Sequence, residues 1–141
     1  MVFPRKVIEP GGAGWIERSW IGGTDNPEFD TDIVRFEYSS LTTPNSIFEH
    51  DLNTQAQELL KQHEVIGDFD PANYTSERIW APARDGVKVP VSIVYHKNTP
   101  RDGSAPLLIY GYGSYGHSIE PMFSCARLCL LDRGFVYVIA H

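Results

Sequence analysis

The sequence predicts a mixed fold: a short-stranded antiparallel sheet followed by the opening strands of an α/β sheet. Three observations predict it. Residues 33–62 consist of brief β-type segments separated by tight turns. Composition shifts at Gly67 to Asn73, a Gly-Asp-Phe-Asp-Pro-Ala-Asn stretch that reads as a linker. Beyond it the pattern runs strand, strand, strand, helix, strand.

In the first half, Trp15 to Ile21 reads as a strand and Gly22 to Pro27 as a turn cluster. Ile33 to Ser39 alternates, with Val34, Phe36 and Tyr38 on one face and Arg35 and Glu37 on the other. Thr42-Thr43-Pro44-Asn45 turns the chain into Ser46 to Asp51, and Asn53-Thr54 turns it again before Gln57 to Gln62. Short strands joined this way suit one sheet of a sandwich or one propeller blade.

In the second half, Glu77 to Ala81 and Val87 to Tyr95 form a hairpin about Arg84-Asp85-Gly86. Leu107 to Tyr110 is apolar throughout, the pattern of a strand buried on both faces. A helix is expected from Phe123 to Asp132, with Ser124 as its cap and Gly134 at its exit. Phe135 to Ala140 completes the pattern as a further buried strand.

Composition narrows the function. The chain has 141 residues, 42% of them hydrophobic, and a formal net charge of -6. With no Lys/Arg cluster to offset that charge, nucleic-acid and anionic-membrane binding are not expected. No apolar run approaches the length of a membrane span, and no hydrophobic signal core follows the N-terminus, so a cytoplasmic protein is expected. Cys125 and Cys129 are spaced to share a helix face, but no second Cys/His pair completes a metal site. They read as buried or half-buried free thiols, and no metal or cofactor is expected. The acidic residues Asp25, Glu28, Asp30 and Asp32 lack the glycine spacing and closing glutamate of a calcium loop, and read as a solvated turn.

The chemistry concentrates in Gly111-Tyr112-Gly113-Ser114-Tyr115-Gly116, directly after the apolar run. Ligands of open α/β sheets bind at such strand ends. These glycines match the G-x-G-x-x-G spacing, but Pro121 follows closely and the next strand ends Ile139-Ala140-His141 without an acid, against a dinucleotide loop. Ser114 lacks the first glycine of a G-x-S-x-G elbow, where Tyr112 stands instead, so it reads as a loop serine. A tyrosine hydroxyl here could donate to an oxyanion, worth roughly 3 kcal/mol of transition-state stabilisation. Equally, Tyr110, Tyr112 and Tyr115 could pack a domain interface, and spacing does not separate the two. The five histidines are scattered, with no serine or cysteine partner at a recognisable spacing.

Longer motifs carry a resemblance. Asn26 to Asp32, Tyr38 to Pro44, Ser76 to Trp80, Ala83 to Val87 with Val89 to Ser92, Tyr110 to Gly116 and Leu130 to Tyr137 resemble the oligopeptidase B group of the prolyl oligopeptidase family of serine peptidases. The similarity runs from about Ile21 to His141. It implies that residues 1–70 are the last blade of a β-propeller and residues 71–141 the first part of an α/β-hydrolase domain. Tyr112 then matches the family's oxyanion tyrosine, and Tyr115 an aromatic position lining the substrate pocket. The implied reaction is cleavage of short peptides after arginine or lysine by acyl transfer.

Family members are several times longer, and their serine, aspartate and histidine would follow His141. The carboxylates that select a basic side chain are not recognisable in this sequence. The expectation is a fragment that supplies an oxyanion tyrosine and is inactive alone. The rivals are a piece that associates with a separately encoded remainder and a decayed gene product.

Overall fold

The computed structural model describes residues 19–141; the portion of the expected first strand before Ser19 lies outside them. Two four-stranded sheets follow one another along the chain.

The first is an antiparallel meander of β1 (Ser19–Gly23), β2 (Ile33–Ser40), β3 (Ser46–Asp51) and β4 (Gln57–Gln62). Alternation in β2 places Phe36 and Tyr38 inside, where Phe48 of β3 stacks on Phe36 at 5.6 Å and meets Tyr38 edge-on at 6.3 Å. Gly22 and Gly23 belong to β1 rather than to a turn, since they pair with Glu37 and Phe36. The Trp20 ring lies over Gly22, where a Cβ would stand 2.4 Å from Trp20 Cη2, so glycine there leaves room for the ring. The turn begins at Thr24 and is closed by Asn26, whose side-chain amide accepts from Arg35 N–H at 2.7 Å and donates to Arg35 C=O at 2.9 Å. A side chain thus replaces a backbone partner where strand pairing stops. The acidic residues of this loop are exposed, and no metal-holding cluster occurs among the described residues.

The second sheet contains β5 (Tyr74–Pro82), β6 (Lys88–His96), β7 (Leu107–Gly111) and β8 (Val136–Ala140), in the order β5-β6-β8-β7. β5, β6 and β8 pair antiparallel, whereas β7 and β8 run parallel across the helix α1 (Cys125–Leu131). α1 takes Ser124 as its extended N-cap, although the hydroxyl makes no capping bond. Its end matches the sequence pattern closely. Gly134, at φ 84°, donates to Leu131 C=O, and Phe135 N–H reaches back to Leu130 C=O, a Schellman closure.

Leu128 and Leu131 of α1 pack on Val94 and Ile139, and Leu41 from the first sheet joins the same cluster. Phe69 of the connecting segment adds rings on both sides, Tyr74 at 5.7 Å and Phe123 at 5.3 Å. The connection Gly67 to Asn73 is thus anchored by Phe69, while Gly67, Asp68, Asp70, Pro71 and Ala72 stay exposed; it ends in a 3₁₀ turn at Pro71–Asn73 capped by Asp70.

Two expectations need correction. β7 is not buried on both faces: Leu107 is 56% and Ile109 62% exposed. It is an edge strand, and α1 packs on β8 and β6 rather than over it. Cys125 and Cys129 are free but exposed, because the buried face of α1 belongs to Leu128 and Leu131.

Candidate functional site

Parallel pairing makes β7 and β8 finish level, with Gly111 opposite Ala140. Tyr112 and His141 are therefore the first residues past the same end of two adjoining strands. After Tyr112 the chain makes a 3₁₀ turn at Ser114–Gly116, closed by His117 N–H on Ser114 C=O. Tyr115, at φ 58°, and Gly116, at φ 68°, are both left-handed. An aromatic residue in that region carries about 1–3 kcal/mol of strain. Its ring is wholly exposed, so no packing of that ring within this chain offsets the strain.

Tyr112 is 44% exposed and meets His117 edge-on at 5.9 Å. No hydrogen bond reaches its hydroxyl from the described residues. Tyr110, on β7, is also part exposed. The three loop tyrosines thus stand at the surface of this chain and pack no interface among the described residues. Ser114 lies in the turn without a nucleophile elbow, because no helix opens on these glycines; α1 begins only at Cys125.

Sequence reasoning passed over His141. Its Nε2 lies 2.8 Å from the Oγ of Ser92, a fully buried residue of β6, and its Nδ1 lies 3.3 Å from Ser118 Oγ. Its backbone N–H donates to Pro90 C=O at 3.0 Å. Burial pushes the imidazole below its ordinary 6.5, and the nearby Arg78 charge adds to that; the Ile119 carbonyl and Glu120 act the other way. The available signal was positional: His141 is the first polar residue after the apolar run Val136 to Ala140.

The site thus offers a part-exposed phenol at the end of a parallel strand pair, an imidazole beside it whose burial disfavours the charged form, and an exposed glycine-rich turn. A hydrogen-bond donor for a developing oxyanion is chemistry that this set can supply. Among the described residues no serine, histidine and acid come together as a triad.

No family model matches the chain. It is 50% identical over 122 residues to dipeptidyl aminopeptidase BI of Pseudoxanthomonas mexicana, and 42% identical over 113 residues to protease 2 of Moraxella lacunata. These matches cover 86% and 80% of this chain but 17% and 16% of those proteins. The chain therefore spans about a sixth of the length of the curated relatives it matches. Among solved structures, oligopeptidase B of Leishmania major superposes with a TM-score of 0.81 at 38% identity, over 96% of this chain and 18% of that one. Oligopeptidase B of Trypanosoma brucei with covalently bound antipain gives 0.77 at 37%, over 87% and 17%. A propeller blade followed by the first strands of an α/β-hydrolase sheet is the architecture these neighbours share with the two sheets described above. The chain belongs, as a partial chain, to the prolyl oligopeptidase family of peptidases.

Proposed function

We propose that this chain is a segment of a cytoplasmic serine peptidase that cleaves short peptides after arginine or lysine by acyl transfer. Residues 1–70 would end its propeller domain and residues 71–141 would begin its hydrolase domain. A serine outside the chain attacks the peptide carbonyl, and Tyr112 donates its hydroxyl to the oxygen as negative charge develops. Tyr115 lines the substrate pocket. The single observation that carries the reading is the Tyr112 phenol, part exposed and with no hydrogen bond to its hydroxyl among the described residues, at the end of the parallel β7–β8 pair. Similarity to peptidases at 50% identity supports it, as does the covalent antipain complex of the related Trypanosoma brucei enzyme.

The test is a graft. Residues 21–141 replace the matching stretch of the Pseudoxanthomonas mexicana enzyme, and hydrolysis of arginyl and lysyl peptides is measured. Tyr112→Phe should lower kcat about ten- to a thousand-fold with KM little changed, the range of an oxyanion donor. An unaltered kcat removes Tyr112 from the mechanism. The 141-residue chain alone should hydrolyse none of these peptides.

A second reading, association with a separately encoded remainder, is favoured by the open edge of β7, where Leu107 and Ile109 stay exposed. Co-purification with a polypeptide carrying a G-x-S-x-G elbow would support it.

A further inference from the structure

The loop that carries Tyr112 is exposed from Gly111 to Ser118 and turns through two left-handed residues. Such a segment needs a tie to hold one conformation, because few buried contacts oppose its local opening. The His141 ring reaches from the sheet to the loop. Ser92 and the His141 backbone belong to the sheet, anchored by the 2.8 Å contact of Ser92 Oγ with Nε2 and by the Pro90 bond. Ser118 belongs to the loop, and its Oγ lies 3.3 Å from Nδ1 of the same ring. His117, next to Ser118, holds its imidazole edge-on to Tyr112.

We propose that His141 is a positioning residue: with its ring held between Ser92 and Ser118 it ties the 112–121 loop to the end of the sheet and thereby fixes the Tyr112 ring. The catalytic consequence rests on the oxyanion reading of Tyr112; the tie itself does not. Both ring nitrogens face hydroxyls, Ser92 Oγ at 2.8 Å and Ser118 Oγ at 3.3 Å, and a hydroxyl donates or accepts, so one ring bonds the sheet and the loop together. Arg78 on β5 and the burial of the ring both oppose protonation, while Glu120 favours it.

Amide hydrogen exchange and NMR compare the 141-residue chain at neutral pH with His141→Ala and Ser118→Ala, with Phe36 and Phe48 as the folding control. Both variants should show about tenfold or greater acceleration at the His117 amide and shifted Tyr112 ring resonances, with the control amides unchanged. If His141→Ala fails to protect the control amides, Ser118→Ala carries the comparison, since it removes only a loop contact. Loop exchange and Tyr112 shifts unchanged in the folded variants overturn the proposal. A parent chain without protection at His117 overturns it too. In the grafted peptidase the two ideas separate. A silent Tyr112→Phe sinks the oxyanion reading and leaves the tie to NMR. A damaging Tyr112→Phe beside an unmoved loop in His141→Ala sinks the tie alone.

Discussion

Ser39 Oγ accepts the backbone N–H of Phe123 at 3.0 Å, joining residues 84 positions apart. Ser39 is fully buried at the end of β2, and Phe123 precedes α1, so this bond stitches the first sheet to the second unit. Beside it, Leu41 enters the cluster of Val94, Leu128, Leu131 and Ile139. One polar bond and one apolar contact thus hold the same junction.

Ser39→Ala should destabilise the chain by about 1–3 kcal/mol, because it leaves the Phe123 N–H without its acceptor. Leu131→Ala, at a fully buried site, should cost about 2–5 kcal/mol through lost contacts and a cavity. Urea denaturation followed by circular dichroism measures both. A serine variant as stable as the parent would show that the junction does not depend on this bond.

The left-handed positions separate conformational strain from packing. Gly134 has no atom within 4 Å of where a Cβ would sit, so Gly134→Ala tests backbone conformation alone. The expected loss is about 1–2 kcal/mol. Tyr115→Gly removes an exposed ring from the same region and should cost nothing, with any change in the stabilising direction and within about 1 kcal/mol. Thermal melts compare the two. Destabilisation by Tyr115→Gly would mean that the ring has a partner in solution.

Cys125 and Cys129 should both react with 5,5′-dithiobis(2-nitrobenzoate) in the native chain, without denaturant, since both are exposed. Absorbance at completion counts the thiols. Reaction only after unfolding would return them to the buried or half-buried state expected from the sequence.

Alkaline pH offers a further check at Tyr74, whose hydroxyl donates to Asp132 at 2.6 Å. Burial first, and the Asp132 carboxylate second, push its pKa from 10.0 up to about 12. Between those values the folded chain keeps the phenol proton that the unfolded chain has lost. By linkage the contribution is whole below pH 10 and is lost as pH rises toward 12. Tyr74→Phe should therefore flatten the fall of stability across that window. Denaturation midpoints taken at intervals from pH 9 to pH 12 decide this, and an identical slope in both chains would exclude the coupling.

Much of the secondary structure was legible because its signals are local. The strands at Ser46–Asp51 and Gln57–Gln62 lie where alternation and turn residues put them. Gly134 closes α1 because only a left-handed residue lets Phe135 N–H reach Leu130 C=O. Gly22 was misread for the opposite reason. Glycine has two uses, and here it sits in a paired strand where its missing Cβ leaves room for the Trp20 ring, which no glycine-turn rule sees. Tyr112 was legible as a candidate from its position after an apolar run; His141 holds the same kind of position, but nothing near it in sequence pointed to its contacts. Its partners Ser92 and Ser118 lie 49 and 23 positions off, at no recurring interval.

Taken by itself, the amino-acid order determined where strands and the helix form, where the chain turns, and which peptidase family its motifs belong to. Tertiary structure alone decided the strand order β5-β6-β8-β7, which leaves the apolar β7 on an open edge and brings His141 level with Tyr112. The physical reason is that periodicity records which face of an element prefers to leave water. It carries no information about which neighbour covers that face, and that is settled only when distant segments pack together.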